Sequence, residues 1–159
     1  MKLSRSVTHI IVVAAAIACC WLTTSARPPL ALGVTYNYAT EYGQHGIGAK
    51  LQLPLGHHWR VSPELIYFAK RRDVTSLHIN VNVEHLLPVM SHVQVYPFAG
   101  ISYSHWGYTG PNASRWGANL GAGLEISLGR SWAALGEARL MLVSRETQVV
   151  TSLGIKHLF

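Results

Sequence analysis

The sequence predicts an all-β protein, an eight-stranded antiparallel up-and-down transmembrane β-barrel. First, apolar and polar residues alternate with a period of two along most of the chain, as they do in β-strands. Second, the alternating segments are about 10 to 14 residues long, which is enough for a tilted strand to cross a bilayer. Third, every Asp, Glu, Lys and Arg within these segments falls on one face, so the other face is uncharged.

Residues 1–26 have the features of a secretory signal peptide. They contain two basic residues near the start, an apolar run over residues 10–22 and small residues just before Arg27. The apolar run of 13 residues is shorter than the ~18–20 that a membrane-spanning helix needs. We therefore expect the mature chain to begin at or near Arg27, which leaves residues 27–159 as one barrel domain.

The composition excludes some classes of function. Both cysteines, Cys19 and Cys20, leave with the predicted signal, so the exported chain has no disulfide to stabilise it. Cleavage as a lipoprotein at one of them is an alternative, although the residues before them fit a lipobox poorly. The mature chain has 11 basic and 7 acidic residues, a net charge of 11 minus 7, or +4. That charge is too small and too dispersed to indicate nucleic-acid binding.

The predicted strands follow one another without a helix, because no apolar residues after residue 26 hold a 3.6-residue period. Short links near residues 56–57, 88–91 and 129–130 alternate with links on the other side, of which 105–114 is the longest. Bacterial barrels have short periplasmic turns and longer outer loops, so both chain ends are predicted to lie in the periplasm. The strands span about residues 31–42, 46–55, 58–70, 74–87, 92–104, 115–128, 131–143 and 147–159.

One face of every predicted strand is apolar and uncharged. A soluble sandwich or lipocalin also alternates, so alternation alone does not place the chain in a membrane. An apolar face over every strand would promote aggregation in water, whereas a membrane barrel requires it against lipid. In chain order, alternate positions of this face run from Leu32 to Tyr38, Ile47 to Leu53, Val61 to Tyr67, Leu77 to Val83, Val93 to Ile101, Leu120 to Ile126, Trp132 to Leu140, and Leu153 to Ile155.

The other face carries charges of both signs in equal number away from the strand ends. An eight-stranded barrel has an interior just wide enough for side chains, so four acids and four bases predict a neutral network that fills the lumen. The inward-facing positions of these eight charged residues, and their distances from the turns, predict that they form two layers in the lumen. The layer near mid-strand consists of Lys50, Glu64, Glu137 and Arg139, and the layer nearer the periplasm of Arg60, Glu84, Glu125 and Lys156.

Some apolar residues also fall on the charged face. They predict either a partly apolar lumen or a shift of register at those positions. These residues are Ile66, Phe68, Phe98, Leu135 and Met141.

Aromatic residues are sorted to the ends of the strands. Trp59 and Trp132 stand at the starts of two strands, on the same side as Phe159. This sorting predicts two belts where amphipathic rings meet lipid headgroups. The belt on the opposite side consists of Tyr38, Tyr42, Tyr67, Tyr103 and Trp116.

Several stretches resemble small outer-membrane β-barrel proteins of Gram-negative bacteria, of the OmpX/OmpA type or the porin-family group, often described as an "outer membrane protein beta-barrel domain". They are YPFAGISY (96–103), GANLGAGLEISL (117–128) and the final LGIKHLF. The resemblance covers the whole mature chain. It implies an outer-membrane location, contact with lipid and lipopolysaccharide, and a barrel assembly machinery that reads the terminal strand.

The terminal strand carries the most specific part of this resemblance. Leu153, Ile155 and Phe159 match the alternating apolar positions and the final aromatic residue of the implied assembly signal. His157 occupies a position that is often aromatic or apolar in that family, which is a departure from the pattern.

Catalytic and metal chemistry have little support in the sequence. The nine histidines are scattered and no close pair has the spacing of metal ligands, so we expect no metal and no cofactor. Some barrels of the family that the chain resembles are lipid A acylases or deacylases, and here Ser76 and His78 share the inner face with Glu64 and Glu84. A hydrogen-bond network in the lumen is the favoured interpretation, so the chain is predicted not to be an enzyme.

Two classes of function remain open. The first is a surface barrel with a structural, adhesive or defensive role, and the second is a narrow channel for small or apolar solutes. A lumen filled with balanced charges favours the first. We expect a monomer whose partners are membrane lipids, with no nucleic acid. The basic cluster Lys70, Arg71 and Arg72 at the outer rim indicates either contact with lipopolysaccharide phosphates or a solvated hairpin tip.

Overall fold

Eight long antiparallel strands close into a β-barrel, as the sequence predicts. The structure is a computed structural model that describes residues 30–41, 43–71, 74–107, 113–143 and 146–159. A ninth, short strand, β5, continues the line of β4 along the start of β6. The strands are β1 (Ala31–Ala39), β2 (Gln44–Pro54), β3 (Trp59–Arg71), β4 (Val74–His85), β5 (Leu87–Met90), β6 (Val93–Gly107), β7 (Ala113–Ser127), β8 (Trp132–Val143) and β9 (Glu146–Leu158).

The barrel closes where the first and last strands pair. The register between β1 and β9 is continuous from Ala31 opposite Leu158 to Ala39 opposite Val150. Neighbours in sequence pair around the rest of the wall, and β4 pairs directly with β6. Closure leaves no long strand with an unpaired edge, which satisfies the backbone groups within the wall. Among the described residues, no helix is long and apolar enough to span a membrane.

Strand alternation separates an outer apolar surface from a buried interior. The side chains of β1 alternate strictly between buried and exposed, and those of β2 do so over most of its length. Ile47 and Leu153, on the outer face, are each 68% exposed. Because these residues are apolar and point away from the lumen, the outer surface suits lipid rather than water.

The predicted bounds of the longest loop, residues 105–114, are wrong at both ends. The strands β6 and β7 extend into it, with His105 opposite Ser114 and Trp106 opposite Ala113. The His105 Nδ1 and Ser114 Oγ atoms lie 2.7 Å apart, so these side chains hydrogen-bond across the hairpin. Such cross-strand pairs stabilise strands whose local sequence is rich in turn residues. The link that remains, residues 108–112, lies outside the described residues.

The inner apolar residues form part of a mixed lumen, and the register does not slip at Ile66. The pairing of β3 with β4 runs without interruption through Ile66 opposite His78, and a shift occurs only beyond Phe68. Phe98, Leu135 and Met141 are likewise buried. A cluster of five fully buried apolar residues lies toward the end of the lumen away from the chain termini. It consists of Ala39, Ile66, Phe68, Met141 and Val150.

Candidate functional site in the barrel interior

The barrel interior contains all eight charged residues that the sequence assigns to the lumen. Taken as whole residues, none of them is more than 6% exposed, although a charged side chain is rarely buried unless it is paired. Neighbouring strands bring some of them face to face, with Lys50 opposite Glu64 and Arg60 opposite Glu84. The barrel's closed register therefore places charges of opposite sign at the same height in the lumen.

The layer near mid-strand consists of Glu64, Arg139, Glu137 and Lys50, joined in that order. The Arg139 guanidinium donates to Glu64 through Nη1 and to Glu137 through Nη2, the latter at 2.9 Å from Oε2. The Lys50 ammonium donates to the other oxygen of Glu137, Oε1. Each of these four side chains is fully or almost fully withdrawn from solvent.

The layer nearer the chain termini consists of Glu84, Arg60, Glu125 and Lys156, again in that order. Arg60 Nε donates to Glu84, and Arg60 Nη1 lies 2.9 Å from Glu125 Oε2. Lys156 Nζ lies 2.7 Å from the same Glu125 oxygen. The Arg60 and Glu125 side chains are 7% and 8% exposed, so this layer lies closer to solvent than the mid-strand layer.

One contact joins the two layers into a single chain of ion pairs. Lys50 Nζ lies 2.8 Å from Glu84 Oε1, in addition to its contact with Glu137. Acids and bases therefore alternate along eight side chains, from Glu64 at one end to Lys156 at the other. Charges buried in a low-dielectric wall persist when they are paired and hydrogen-bonded in this way.

Tyr96 packs between the charged layers, and sequence reasoning did not single it out. Its hydroxyl donates to Glu137 Oε1 at 2.7 Å, and the Arg60 guanidinium lies 4.5 Å from the centre of its ring. The ring has room because it lies opposite Gly123, where a Cβ atom would come within 2.2 Å of it. Two features of the sequence could have indicated this position. Tyr96 is at an inward-facing position of its strand, and the following strand is rich in glycine.

Neutral polar side chains complete the network around the carboxylates. Ser62 Oγ donates to Glu84, and Asn80 Nδ2 lies 3.3 Å from Glu64 Oε2. Gln52 accepts a hydrogen bond from Lys156 at 2.7 Å through its amide oxygen. These residues satisfy some of the oxygens and protons that the ion pairs leave over, which stabilises a buried network. Among the described residues, Arg60 Nη2, Glu64 Oε1 and Arg139 Nε remain without a hydrogen-bond partner.

His78, which the sequence places with Ser76 as a candidate catalytic residue, is buried on the side of the mid-strand layer that faces away from the chain termini. Its ring packs against Phe68 and Trp106, with centroid distances of 5.0 and 5.9 Å. Its Nδ1 lies 3.4 Å from Ser104 Oγ, and within the described ranges its Nε2 and the Ser76 hydroxyl have no hydrogen-bond partner. Thus no carboxylate of the described chain orients this imidazole, and the structure does not bring Ser76 and His78 into a hydrogen-bonded pair.

The outer surface carries the other residues that the sequence singles out. The side chains of Leu153, Ile155 and Phe159 are exposed, and the Phe159 backbone N–H donates to the Leu30 carbonyl at 2.8 Å. The described belt residues also lie on the outside, whereas Tyr42 falls outside the described ranges. Their exposed fractions are 50% for Trp59, 48% for Trp132, 36% for Tyr38, 55% for Tyr67 and 58% for Trp116, and Tyr103 is half-buried beside Trp116 at 5.1 Å between ring centroids.

Two predicted features fall partly or wholly outside the described residues. In the basic cluster, Lys70 is exposed near the end of β3, Arg71 is the last residue of β3, and Arg72 lies outside the described ranges. The predicted signal peptide at residues 1–26 also lies outside them, so it stays a prediction. In the described part of the chain, no three His, Cys, Asp or Glu side chains come together as they would around a metal ion.

Comparison with known proteins supports the fold alone. No protein-family profile and no curated protein sequence matches the chain. The N-terminal β-barrel domain of Pseudomonas aeruginosa OprF superposes with a TM-score of 0.72 at 12% identity, over 85% of this chain and 100% of that one. Ail, the attachment invasion locus protein of Yersinia pestis, gives 0.58 at 15% identity over 82% and 97% of the two chains.

A third similar structure is that of the outer membrane enzyme PagL. It has a TM-score of 0.57 at 12% identity and covers 81% of this chain and 99% of its own. Barrels with different roles thus share this architecture, so the likeness carries no function by itself. The predicted resemblance to small outer-membrane barrels is confirmed at the level of the fold, whereas the OmpX/OmpA-type or porin-family grouping stays a prediction. The closed eight-stranded wall and these likenesses show that the chain has the fold of small outer-membrane β-barrel proteins.

Proposed function

We propose that this protein is a non-enzymatic barrel with a structural or surface role, in adhesion or defence, and a lumen closed by side chains. The observation that carries this proposal is the unbroken chain of ion pairs from Glu64 to Lys156. The mid-strand part of that chain is 0–1% exposed at its side chains, which supports a centre without a water-filled path. A lumen filled in this way stabilises the wall and leaves the outer loops as the surface for partners.

The two alternatives have weaker support. A narrow channel would need space that the charged side chains, Tyr96 and the five-residue apolar cluster occupy. An enzyme is the less favoured alternative, although PagL shares the fold. It would need an activated nucleophile, whereas His78 is buried between aromatic rings and the nearby carboxylates are bound by arginine and lysine.

Conductance of the purified protein in planar lipid bilayers tests this proposal. Because the mid-strand layer is sealed from solvent, we expect no steady channel openings from the wild-type protein at neutral pH and moderate voltage. A porin of known conductance, inserted under the same conditions, serves as the positive control. Steady, reproducible openings from the wild type would favour the channel instead.

The proposed setting is the outer membrane, with both termini in the periplasm and the protein a monomer. The aromatic residues at both ends of the outer surface support contact with headgroups on either side. Lys70, exposed at the rim away from the termini, supports contact with lipopolysaccharide phosphates.

Recognition by the barrel assembly machinery is proposed for the terminal strand. The Phe159 side chain is 67% exposed and its ring touches that of His157, at 4.6 Å between centroids, so the finished barrel gains little from it. We expect Phe159→Ala to slow insertion in cells while leaving the heat-resistant folded form unchanged once it has formed. Pulse–chase labelling followed by gel mobility at room temperature measures both quantities.

The matched control for Phe159→Ala is refolding of the same variant into vesicles without the assembly machinery. There we expect the rates of variant and wild type to agree, because no factor reads the terminal residue. Equal insertion rates in cells would argue against the assembly role.

A further inference from the structure

A groove, here called the outer groove, lies on the outward face of β8 between β7 and β9. Its floor is formed by Gly136 and Ala138, two small residues at successive outward positions of β8. Gly136 lies opposite Leu124 on β7 and opposite Leu153 on β9. These leucines are 41% and 68% exposed, so they form a wall on each side of the floor. The groove has a volume of about 610 Å³, and its other outward-facing lining residues are Val95, Ala122 and Thr151.

The outer groove has the proportions of a slot for one hydrocarbon chain. Neighbouring strands lie about 4.8 Å apart, so the backbones that carry its two walls are about 10 Å apart. The walls continue toward the chain termini as Ile126 and Ile155, which both lie opposite Ala134. With a rise of about 3.4 Å per residue, the small residues from Ala134 to Ala138 extend the floor over about 14 Å. An extended acyl chain can follow such a slot, whereas the convex wall of a second barrel meets it only with single side chains.

The lining of the groove is uncharged on its outward side. Glu137 and Ser152 border the groove, but their side chains point into the lumen, where the residues are 5% and 2% exposed. Among the outward-facing residues that line the groove, Thr151 has the one polar side chain. Hydrocarbon therefore fits the groove, whereas a charged group would find no partner there.

Packing within the barrel does not require glycine at position 136. A Cβ atom there would lie 3.5 Å from Leu153 Cδ2, which is an ordinary van der Waals contact, and the φ angle of Gly136 is not positive. At the inward-facing Gly121 and Gly123, by contrast, a Cβ atom would come within 2.5 and 2.2 Å of its neighbours. Glycine inside a strand weakens it and often marks a place where a ligand approaches the backbone closely. Gly136 thus points to an occupant of the groove independently of the groove's shape.

We propose that the outer groove is a binding site for one acyl chain of a bilayer phospholipid. This rests on the membrane setting proposed above, because only there does the outer face meet lipid. The groove is continuous with the apolar outer surface, so an acyl chain enters it without leaving the hydrocarbon region. The small floor residues let the chain approach the backbone, and the many weak contacts with floor and walls hold it more firmly than the flatter parts of the barrel do.

Photocrosslinking locates the bound chain. The mature protein is reconstituted in phosphatidylcholine vesicles that contain a small fraction of phosphatidylcholine with a diazirine in the middle of one acyl chain. Because this headgroup is zwitterionic, net charge does not direct the lipid to any part of the wall. Mass spectrometry of the peptides then reports which residues are labelled. We expect labelling of the groove to exceed that of the outer faces of β2, β3 and β4 about fivefold, which corresponds to a preference of about 1 kcal/mol.

Filling the groove with a larger side chain tests whether its shape binds the lipid. We expect Gly136→Leu and Ala138→Leu each to reduce labelling of the groove to the level of the remaining wall. Both leucines point outward, where a membrane barrel accepts apolar side chains, so the variants should fold. Ala49→Leu is the matched control, because Ala49 is an exposed residue on the outer face of β2, and it should leave the labelling of the groove unchanged. Gel mobility before and after heating shows that each variant is folded.

The outcomes separate this site from the membrane setting on which it depends. Even labelling of the whole outer face in the wild type, or an equal loss in Ala49→Leu, would overturn the site and leave the setting intact. Crosslinked protein dimers that disappear in Ala138→Leu would overturn it in favour of a second copy of the chain. A protein that neither inserts into the vesicles nor takes up label would overturn the membrane setting, and the acyl-chain site with it.

Discussion

Replacing Arg139 by alanine is expected to lower the free energy of unfolding by about 3–5 kcal/mol. The Arg139 side chain is fully buried and its guanidinium binds both Glu64 and Glu137. The substitution leaves two carboxylates in the lumen with one cation fewer, and an unpaired buried charge is costly. Urea titration of the barrel in lipid vesicles, followed by tryptophan fluorescence, measures the change. Arg130→Ala, in an exposed turn, is the control and should leave stability unchanged.

Double substitutions show which carboxylate depends on Arg139. In the described part of the chain, Arg139 is the one cation bound to Glu64, whereas Glu137 also binds Lys50. Glu64→Ala with Arg139→Ala removes a whole pair and leaves Glu137 with Lys50, so we expect it to lose much less than the sum of the two single changes. Glu137→Ala with Arg139→Ala should also lose less than the sum, but by a smaller margin because Glu64 remains unpaired. Purely additive losses would mean that these side chains line a hydrated path and do not form a buried network.

Emptying the mid-strand layer is expected to convert a closed barrel into one that conducts ions. The layer nearer the termini already reaches solvent at Arg60 and Glu125, so the mid-strand layer is the tighter seal. We expect discrete openings in planar bilayers that the wild type lacks. The variant removes two acids and two bases together, so the lumen stays neutral. It is Lys50→Ala, Glu64→Ala, Glu137→Ala and Arg139→Ala combined.

A second variant separates the volume of the side chains from their charge. Methionine in place of Lys50 and Arg139, with glutamine in place of Glu64 and Glu137, keeps the layer filled while removing every charge in it. Replacement of buried ion pairs by uncharged side chains of similar volume is often tolerated, so this barrel should fold and stay closed. If the emptied variant also fails to conduct ions, the five-residue apolar cluster around Phe68 is the part of the lumen that blocks them.

The alternation of apolar and polar residues with a period of two was enough to predict much of this architecture from the sequence. A strand has two faces, so one residue of known orientation fixes the side of every other residue in that strand. That is why the inward positions of Lys50, Glu64 and Arg139 and the outward position of Leu153 agree with the structure. The membership of the two charged layers followed from distance along each strand, because strands rise by a nearly constant amount per residue.

Tertiary structure alone decided which charges meet across the lumen. Lys50 on β2 binds Glu137 on β8 and Glu84 on β4, strands that are not its neighbours in the wall. These contacts depend on the tilt and stagger of the closed barrel, which are properties of all eight strands together and not of any local pattern. The same holds for Tyr96, whose position over Gly123 comes from the register between β6 and β7. Local sequence therefore set the face and height of each side chain, and barrel closure set its partners.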